Sequence, residues 1–265
     1  MIQKISSLQN PKIKSIVKLQ QKTSERKKQN LIVIEGLREV SLAIESGIKI
    51  ETVFVCPEIV SPDIVFSELN IENEYIEIST EVYNKLAYRG STEGIIVLAK
   101  PKFLKLEDLI VRENPLIIIL ESVEKPGNLG AILRTADAAK VDAVIICDPL
   151  TDIYNPNAIR SSVGCIFTNQ VIACSSDEAI LWLKENNVRS FAAALTADNN
   201  YHETNFTGSS AIVMGTEAEG LTEKWLNAAD EQIIIPMSGE IDSLNVSTST
   251  AIIIFEAMRQ RNFKM

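Results

Sequence analysis

Three short stretches gather residues that could do chemistry. The first runs from Glu121 to Arg134, reading ESVEKPGNLGAILR. Gly127 and Gly130 permit close backbone approach at a helix start, Asn128 is a candidate cap, and Arg134 follows six residues later. A helix N-terminus beside a guanidinium would suit a phosphate or a developing negative charge. The stretch lacks both the G-x-G-x-x-G of a dinucleotide fold and the Gly-Lys-Ser/Thr ending of a P-loop. The second stretch is Gly215 to Leu221, GTEAEGL, where two glycines bracket Glu217 and Glu219. Paired acids could exchange protons, but acids at i and i+2 in a loop need not face each other, and charge at the start of a following helix explains them equally. The third is Ile233 to Arg259, an apolar run ended by Pro236, a polar turn, and an amphipathic stretch. In it Ser238 and Gly239 permit tight geometry, while Ser243, Asn245 and Ser247 are good helix caps.

The elements that must hold these stretches follow from the apolar pattern. Short apolar runs at 116–120, 143–147, 170–173, 189–195, 211–215 and 232–235 suit a parallel sheet buried on both faces. Helical stretches at 128–140, 156–163, 176–186, 221–228 and 245–262 alternate with them, which predicts a doubly covered α/β domain. In an open sheet of this kind ligands gather beyond the carboxyl ends of the strands, where all three stretches fall. Upstream, a basic helical region over 10–28 leads into a strand at 31–34, a helix at 37–45, strands at 51–56 and 75–78, a helix from Thr80 to Leu86 and a strand at 94–99. The pattern predicts a smaller α/β domain over 1–105, a linker over 106–115 and a second domain over 116–265.

Composition narrows the function. The chain has 265 residues, 46% of them hydrophobic, and a formal net charge of −9 at pH 7. Such a balance argues against coating nucleic acid by bulk attraction, yet Lys4, Lys12, Lys14, Lys18, Lys22, Arg26, Lys27 and Lys28 form a local basic patch suited to an RNA backbone or to a solvated helix face. The loop Tyr88-Arg-Gly-Ser-Thr-Glu-Gly94 could also touch RNA or be a plain turn. Cys56, Cys147, Cys165 and Cys174 contain no C-x-x-C pair and read as reduced core residues. A single histidine, His202, excludes metal sites built from several histidines, and no metal is expected. No apolar run approaches the roughly 18 residues of a membrane span, so a cytoplasmic protein is expected.

Taken together, Asn128-Leu-Gly-Ala-Ile-Leu-Arg-Thr-Ala136, Gly215-Thr-Glu-Ala-Glu-Gly-Leu221 and Ile235-Pro-Met-Ser-Gly-Glu-Ile-Asp-Ser-Leu-Asn-Val-Ser247 resemble the three motifs of the SpoU, or TrmH-like, branch of the SPOUT RNA methyltransferases. The resemblance covers about residues 115 to 262, and the N-terminal part is more loosely similar to the ribosomal-protein-like substrate-binding domain of that branch. It implies a C-terminal trefoil knot holding S-adenosylmethionine, a homodimer whose active site is shared by two subunits, and methyl transfer to a ribose 2′-hydroxyl. Ribosomal RNA is the favoured substrate over transfer RNA, and a non-catalytic RNA-binding relative is the further alternative. By resemblance Leu195, Gly215, Ile235, Pro236, Met237 and Leu244 contact the cofactor, and Asn128, Arg134, Glu217, Ser243 and Asn245 form the catalytic set. One departure is Thr248-Ser249-Thr250, where the family usually has small apolar residues.

A guanidinium with a pKa above about 12 is a poor base. Arg134 is therefore expected to bind the phosphate beside the target ribose and to stabilise oxyanion charge, with the proton leaving through that phosphate or through a water held by Ser243 and Asn245.

Overall fold

The computed structural model describes residues 2–69, 74–88 and 93–264. The chain forms two compact units, one of Met1–Lys102 with Tyr154–Thr168, the other of Phe103–Ile153 with Asn169–Met265.

In the first unit β1 (Gln3–Ile5), α1 (Pro11–Gln21), α2 (Thr23–Gln29), β2 (Ile32–Glu35), α3 (Leu37–Glu45), β3 (Ile50–Val55), α4 (Pro62–Leu69), β4 (Tyr75–Ile78), α5 (Thr80–Leu86) and β5 (Ile95–Ala99) follow one another. They build a mixed sheet in the order β1-β4-β3-β5-β2. The basic region is two helices rather than one, because Lys22 is extended between them. Arg26 is not part of an exposed patch. It is buried, and its guanidinium donates to the carbonyls of Leu19 and Gln20 and to Thr23 Oγ1, closing the α1–α2 corner. The α5 helix is capped by Ser79, whose hydroxyl accepts from the Val82 amide, so Thr80 is the first helical residue and not the cap. The strand β1 and the helix α4 fall where the apolar pattern is too short or too weak to announce them. Of the Tyr88–Gly94 loop, Arg89, Gly90, Ser91 and Thr92 lie outside the described residues.

The second unit begins with 103–115, the region read as boundary and linker. Leu104, Leu106 and Leu109 pack on its core, and the Gln170 amide brackets the backbone of Ile110. Then come β6 (Leu116–Glu121), α6 (Pro126–Ala138) and β7 (Ala143–Cys147). The next two helices, α7 (Pro156–Ser161) and α8 (Cys165–Thr168), belong to the first unit. The chain returns through β8 (Val171–Cys174), α9 (Ser176–Glu185), β9 (Arg189–Ala193), β10 (Asn199–Asn200), β11 (Ser210–Met214), α10 (Glu223–Ala228), β12 (Glu231–Ile234) and α11 (Val246–Gln260).

These strands make a seven-stranded sheet in the order β10-β12-β9-β11-β6-β7-β8, with every pair parallel. All six residues of β6 are buried, as expected for a central strand covered on both faces. The chain leaves β6 outward through β7 and β8 and later fills the other side with β9, β11 and β12. The sheet therefore reverses its direction of growth between β6 and β11. That boundary is the topological switch point, where loops diverge from adjacent carboxyl ends and open a crevice.

The strand β12 is less buried than its apolar sequence suggests. Ile233 is fully covered, but Ile234 and Ile235 are half-exposed, because among the described residues the outer neighbour of β12 is the two-residue β10. The helix α11 runs unbroken through Thr248, Ser249 and Thr250. Thr250 is buried and its hydroxyl donates to the Val246 carbonyl at 2.7 Å, which lets a polar residue occupy the apolar face formed by Ile253, Ile254, Ala257 and Met258. Phe255 stays 42% exposed and Ile252 half-exposed, while Met258 is core. Cys56, Cys147 and Cys165 are buried and Cys174 is half-buried, none of them in a disulfide among the described residues. Beside Cys174, the buried Cys147 thiol is pushed far above its usual pKa.

Candidate active site

The switch point carries the polar cluster. Beyond β6 the chain turns at Ser122, with φ of 51°, and enters α6 through Pro126. Lys125 occupies the cap position without a side-chain bond to the helix, and Asn128 sits inside the first turn rather than capping it. Beyond β11, Gly215 begins a tight loop closed by reciprocal backbone bonds, Thr216 N–H to Gly220 O at 3.0 Å and Gly220 N–H to Thr216 O at 3.2 Å. A Cβ on Gly215 would lie 2.2 Å from the Gly220 carbonyl carbon and oxygen, so no other residue fits there without moving backbone. The far end of this loop is anchored by Glu121, the last residue of β6. Its buried carboxylate accepts from the Thr222 amide at 2.9 Å and the Thr222 hydroxyl at 2.7 Å. This anchor was not legible as such in the sequence, since 101 residues separate its two ends.

Because α10 starts only at Glu223, Glu217 is not a helix-start charge. It is the centre of the site. Its Oε1 accepts from the side-chain amides of Asn128, at 2.6 Å, and of Asn245, while its Oε2 pairs with Lys125 Nζ. Asn245 Nδ2 also reaches Asn128 Oδ1 at 3.3 Å. The opposite end of Asn245 caps α11, its Oδ1 accepting from Ser247 N–H at 3.0 Å and Ser247 Oγ at 2.6 Å. One carboxylate thus ties the start of α6, the loop after β11 and the start of α11. The Lys125 ammonium, then the Asn128 amide, hold Glu217 below the usual carboxylate range, so it stands as an ionised acceptor. Glu219 does not join it; its N–H donates to Thr216 Oγ1. A pocket lined by Val123, Lys125, Asn128, Gly215, Glu217 and Val246, among others, opens over this cluster.

The remaining expected residues are placed differently. Arg134 is exposed on α6 and forms no ion pair with the described residues. Six residues from Asn128, it points about 120° away around the helix axis, sharing the face of Gly127, Ala131 and Ala138. Ser243 is exposed, and its hydroxyl meets its neighbour Asp242 at 3.2 Å rather than capping α11. Leu195, Gly215 and the run Ile235–Met237 all leave the carboxyl ends of β9, β11 and β12, which are adjacent in the sheet. Leu195 is 58% exposed, and Met237 and Leu244 are half-exposed. Among the described residues, 237–244 form no backbone–backbone hydrogen bond. Their free amides, with apolar side chains beside them, fit a nucleoside ligand whose base lies against an apolar wall and whose polar edge meets main-chain groups. Pro236 is exposed at the head of this loop. His202 lies in a short turn, exposed, its ring edge against Tyr201.

Among the described residues no group of three or more His, Cys, Asp or Glu is arranged to hold a metal ion, and no helix is long and apolar enough to cross a membrane.

Comparison with known proteins places the chain in a family. The SpoU rRNA methylase family matches residues 115–255, more than half of the chain, and the MRM3-like substrate binding domain matches residues 10–97. The 23S rRNA (guanosine-2′-O-)-methyltransferase RlmB of Escherichia coli strain K12 is 38% identical over 176 residues, 64% of this chain and 72% of that protein. A crystal structure of an RNA 2′-O ribose methyltransferase matches with a TM-score of 0.86 at 37% identity, covering 98% of this chain and 99% of its own. An AdoMet-bound rRNA methyltransferase from Sinorhizobium meliloti matches with a TM-score of 0.88 at 27% identity, over 97% of this chain and 98% of its own. With its parallel sheet, its polar switch-point cluster and this match across both units, the chain belongs to the SpoU rRNA methylase family.

Proposed function

We propose that this protein transfers the methyl group of S-adenosylmethionine to a ribose 2′-hydroxyl of ribosomal RNA. The observation that carries this reading is the Glu217 cluster, which gathers side chains of all three SpoU motifs at the sheet's switch point. Bound S-adenosylmethionine supplies an electrophilic methyl on a sulfonium. The chain's own residues do the rest. Main-chain groups of 237–244 hold the nucleoside, with Leu195, Ile235, Met237 and Leu244 as its apolar wall and Pro236 and Gly215 shaping the loops. Asn128 and Asn245, fixed through Glu217, orient the ribose; holding reactants in line is worth roughly 7 to 11 kcal/mol of barrier.

Arg134 binds the phosphate beside the target ribose and stabilises charge on the attacking oxygen. The proton departs to that phosphate or to a water at Ser243 and Asn245. The position of Arg134 supports a homodimeric site: it faces away from Asn128 on a helix whose outer face is small, so it would serve a cluster on a second copy. The half-exposed Ile252 and exposed Phe255 of α11 offer apolar area for that contact. The C-terminal part forms a trefoil knot, the N-terminal unit binds RNA through its exposed lysines, and the reaction belongs to the cytoplasm.

The direct test is transfer of labelled methyl from S-adenosylmethionine to unmethylated ribosomal RNA, with transfer RNA in parallel. Label on transfer RNA alone removes the ribosomal reading, and binding of RNA with neither binding nor use of S-adenosylmethionine removes the enzyme. In the same assay Arg134→Lys retains measurable transfer, because charge is kept. Complete loss with normal RNA binding means that charge alone does not explain Arg134.

A further inference from the structure

Lys125 has no role in the site as read from the sequence, and its position is locally unfavourable. It stands at the cap of α6, where the helix dipole favours negative charge, and its side chain makes no cap bond. A residue that breaks a local rule calls for a compensating interaction. Here it is the Glu217 carboxylate across the switch point, met by an ammonium whose side chain is 68% exposed while that of Glu217 is 27% exposed. The two Glu217 oxygens are divided in use: Oε2 goes to Lys125, and Oε1 receives both Asn128 and Asn245. With Oε2 held, rotation of the carboxylate away from the two amides is blocked. Without it, Glu217 is held through Oε1 alone, and Oε2 faces solvent.

We infer that Lys125 is a positioning residue for methyl transfer, holding Glu217 and, through it, the Asn128 and Asn245 side chains in a fixed orientation beside the RNA ribose. The inference rests on the function proposed above. Lys125 touches neither reacting atom in this scheme; it acts through Glu217. The groups facing that carboxylate are Lys125 and Asn128 from the start of α6 and Asn245 at the head of α11, with Glu124 beside Lys125. The ammonium also keeps Glu217 ionised into more acidic solution.

The experiment uses the full chain, methyl-labelled S-adenosylmethionine and unmethylated ribosomal RNA, with Lys125→Met, Lys125→Arg, Glu217→Gln and the double variant Lys125→Met/Glu217→Gln. The expected result is a fall in kcat of about tenfold for Lys125→Met with KM for RNA within about twofold, a size typical of coupled neighbours. Lys125→Arg restores most of kcat. In the Glu217→Gln background, Lys125→Met changes kcat less than about twofold, because the partner it positions is already altered. The acid limb of the kcat–pH profile moves to higher pH in Lys125→Met, as Glu217 returns toward an ordinary carboxylate, and stays in place in Lys125→Arg.

Equal losses from Lys125→Met in both backgrounds, or a loss confined to KM for RNA, overturn the inference in favour of a direct phosphate contact. An unchanged kcat in Lys125→Met overturns it while leaving the methyltransferase reading intact. Failure of the wild-type chain to transfer methyl to either RNA overturns that reading and the inference with it.

Discussion

Two neighbouring parts of the site are built on opposite terms. The Glu217 cluster is bonded to itself: Lys125, Asn128 and Asn245 converge on one carboxylate, and Asn245 uses its side-chain oxygen to cap α11. A few residues upstream of that cap, 237–244 make no backbone hydrogen bond to any described residue and expose Ile241 at 62%. The first arrangement is preorganised, so its geometry costs nothing when substrate arrives. The second leaves its main-chain donors without a backbone acceptor among the described residues, and in the function proposed above a ligand supplies those acceptors. In the function proposed above the two serve different ends: fixed groups meet the ribose, and the unbonded segment wraps an elongated cofactor.

Breaking the preorganised half has the largest consequence. Glu217→Ala removes the acceptor shared by both asparagines and lowers kcat by about 10² to 10³, the range seen when one oriented polar group is lost at a reacting centre. Steady-state methylation of ribosomal RNA measures it, and a value within threefold of wild type would show that the cluster is structural. Gly215→Ala comes next. The added Cβ must displace the Gly220 backbone, an overpacking expected to cost roughly 2 to 3 kcal/mol. A shift of the urea midpoint at constant slope reports it, and an unshifted midpoint would mean the loop relaxes freely. The smallest effect sharpens the other half. Saturating S-adenosylmethionine slows amide exchange across 237–244, while Ser247 N–H, already bonded to Asn245 Oδ1, is protected before and after. Equal exchange of 237–244 with and without the cofactor would contradict the wrapping role.

The elements on which these parts hang differ in how far they could be read in advance. The strand β7 and the helix α3 have the limits expected from their apolar runs, because a buried strand or an amphipathic helix is written in neighbouring residues. The split between α1 and α2 could not be read that way. Arg26 looks like one cation in a basic run until the chain turns at Lys22 and brings three acceptors around it. The two-residue β10 carries no pattern of its own and exists because Ile233 and Ile234 offer it an edge.

The site divides in the same way. Sequence alone determined which residues of this chain stand in the three motifs, that Gly215 and Gly220 bracket Glu217 and Glu219, and that Asn245 can start a helix. It determined these because glycine, asparagine and an apolar period express their preferences over a few residues. Only the tertiary structure decided that Glu217 is the hub, that Glu219 is not, that Lys125 belongs to the site and Ser243 stands apart from the cluster. Those outcomes depend on β6 and β11 being neighbours across the switch point, which brings residues 92 positions apart into ionic contact. A carboxylate's partner is set by distance and direction in three dimensions, and neither is encoded in the residues beside it.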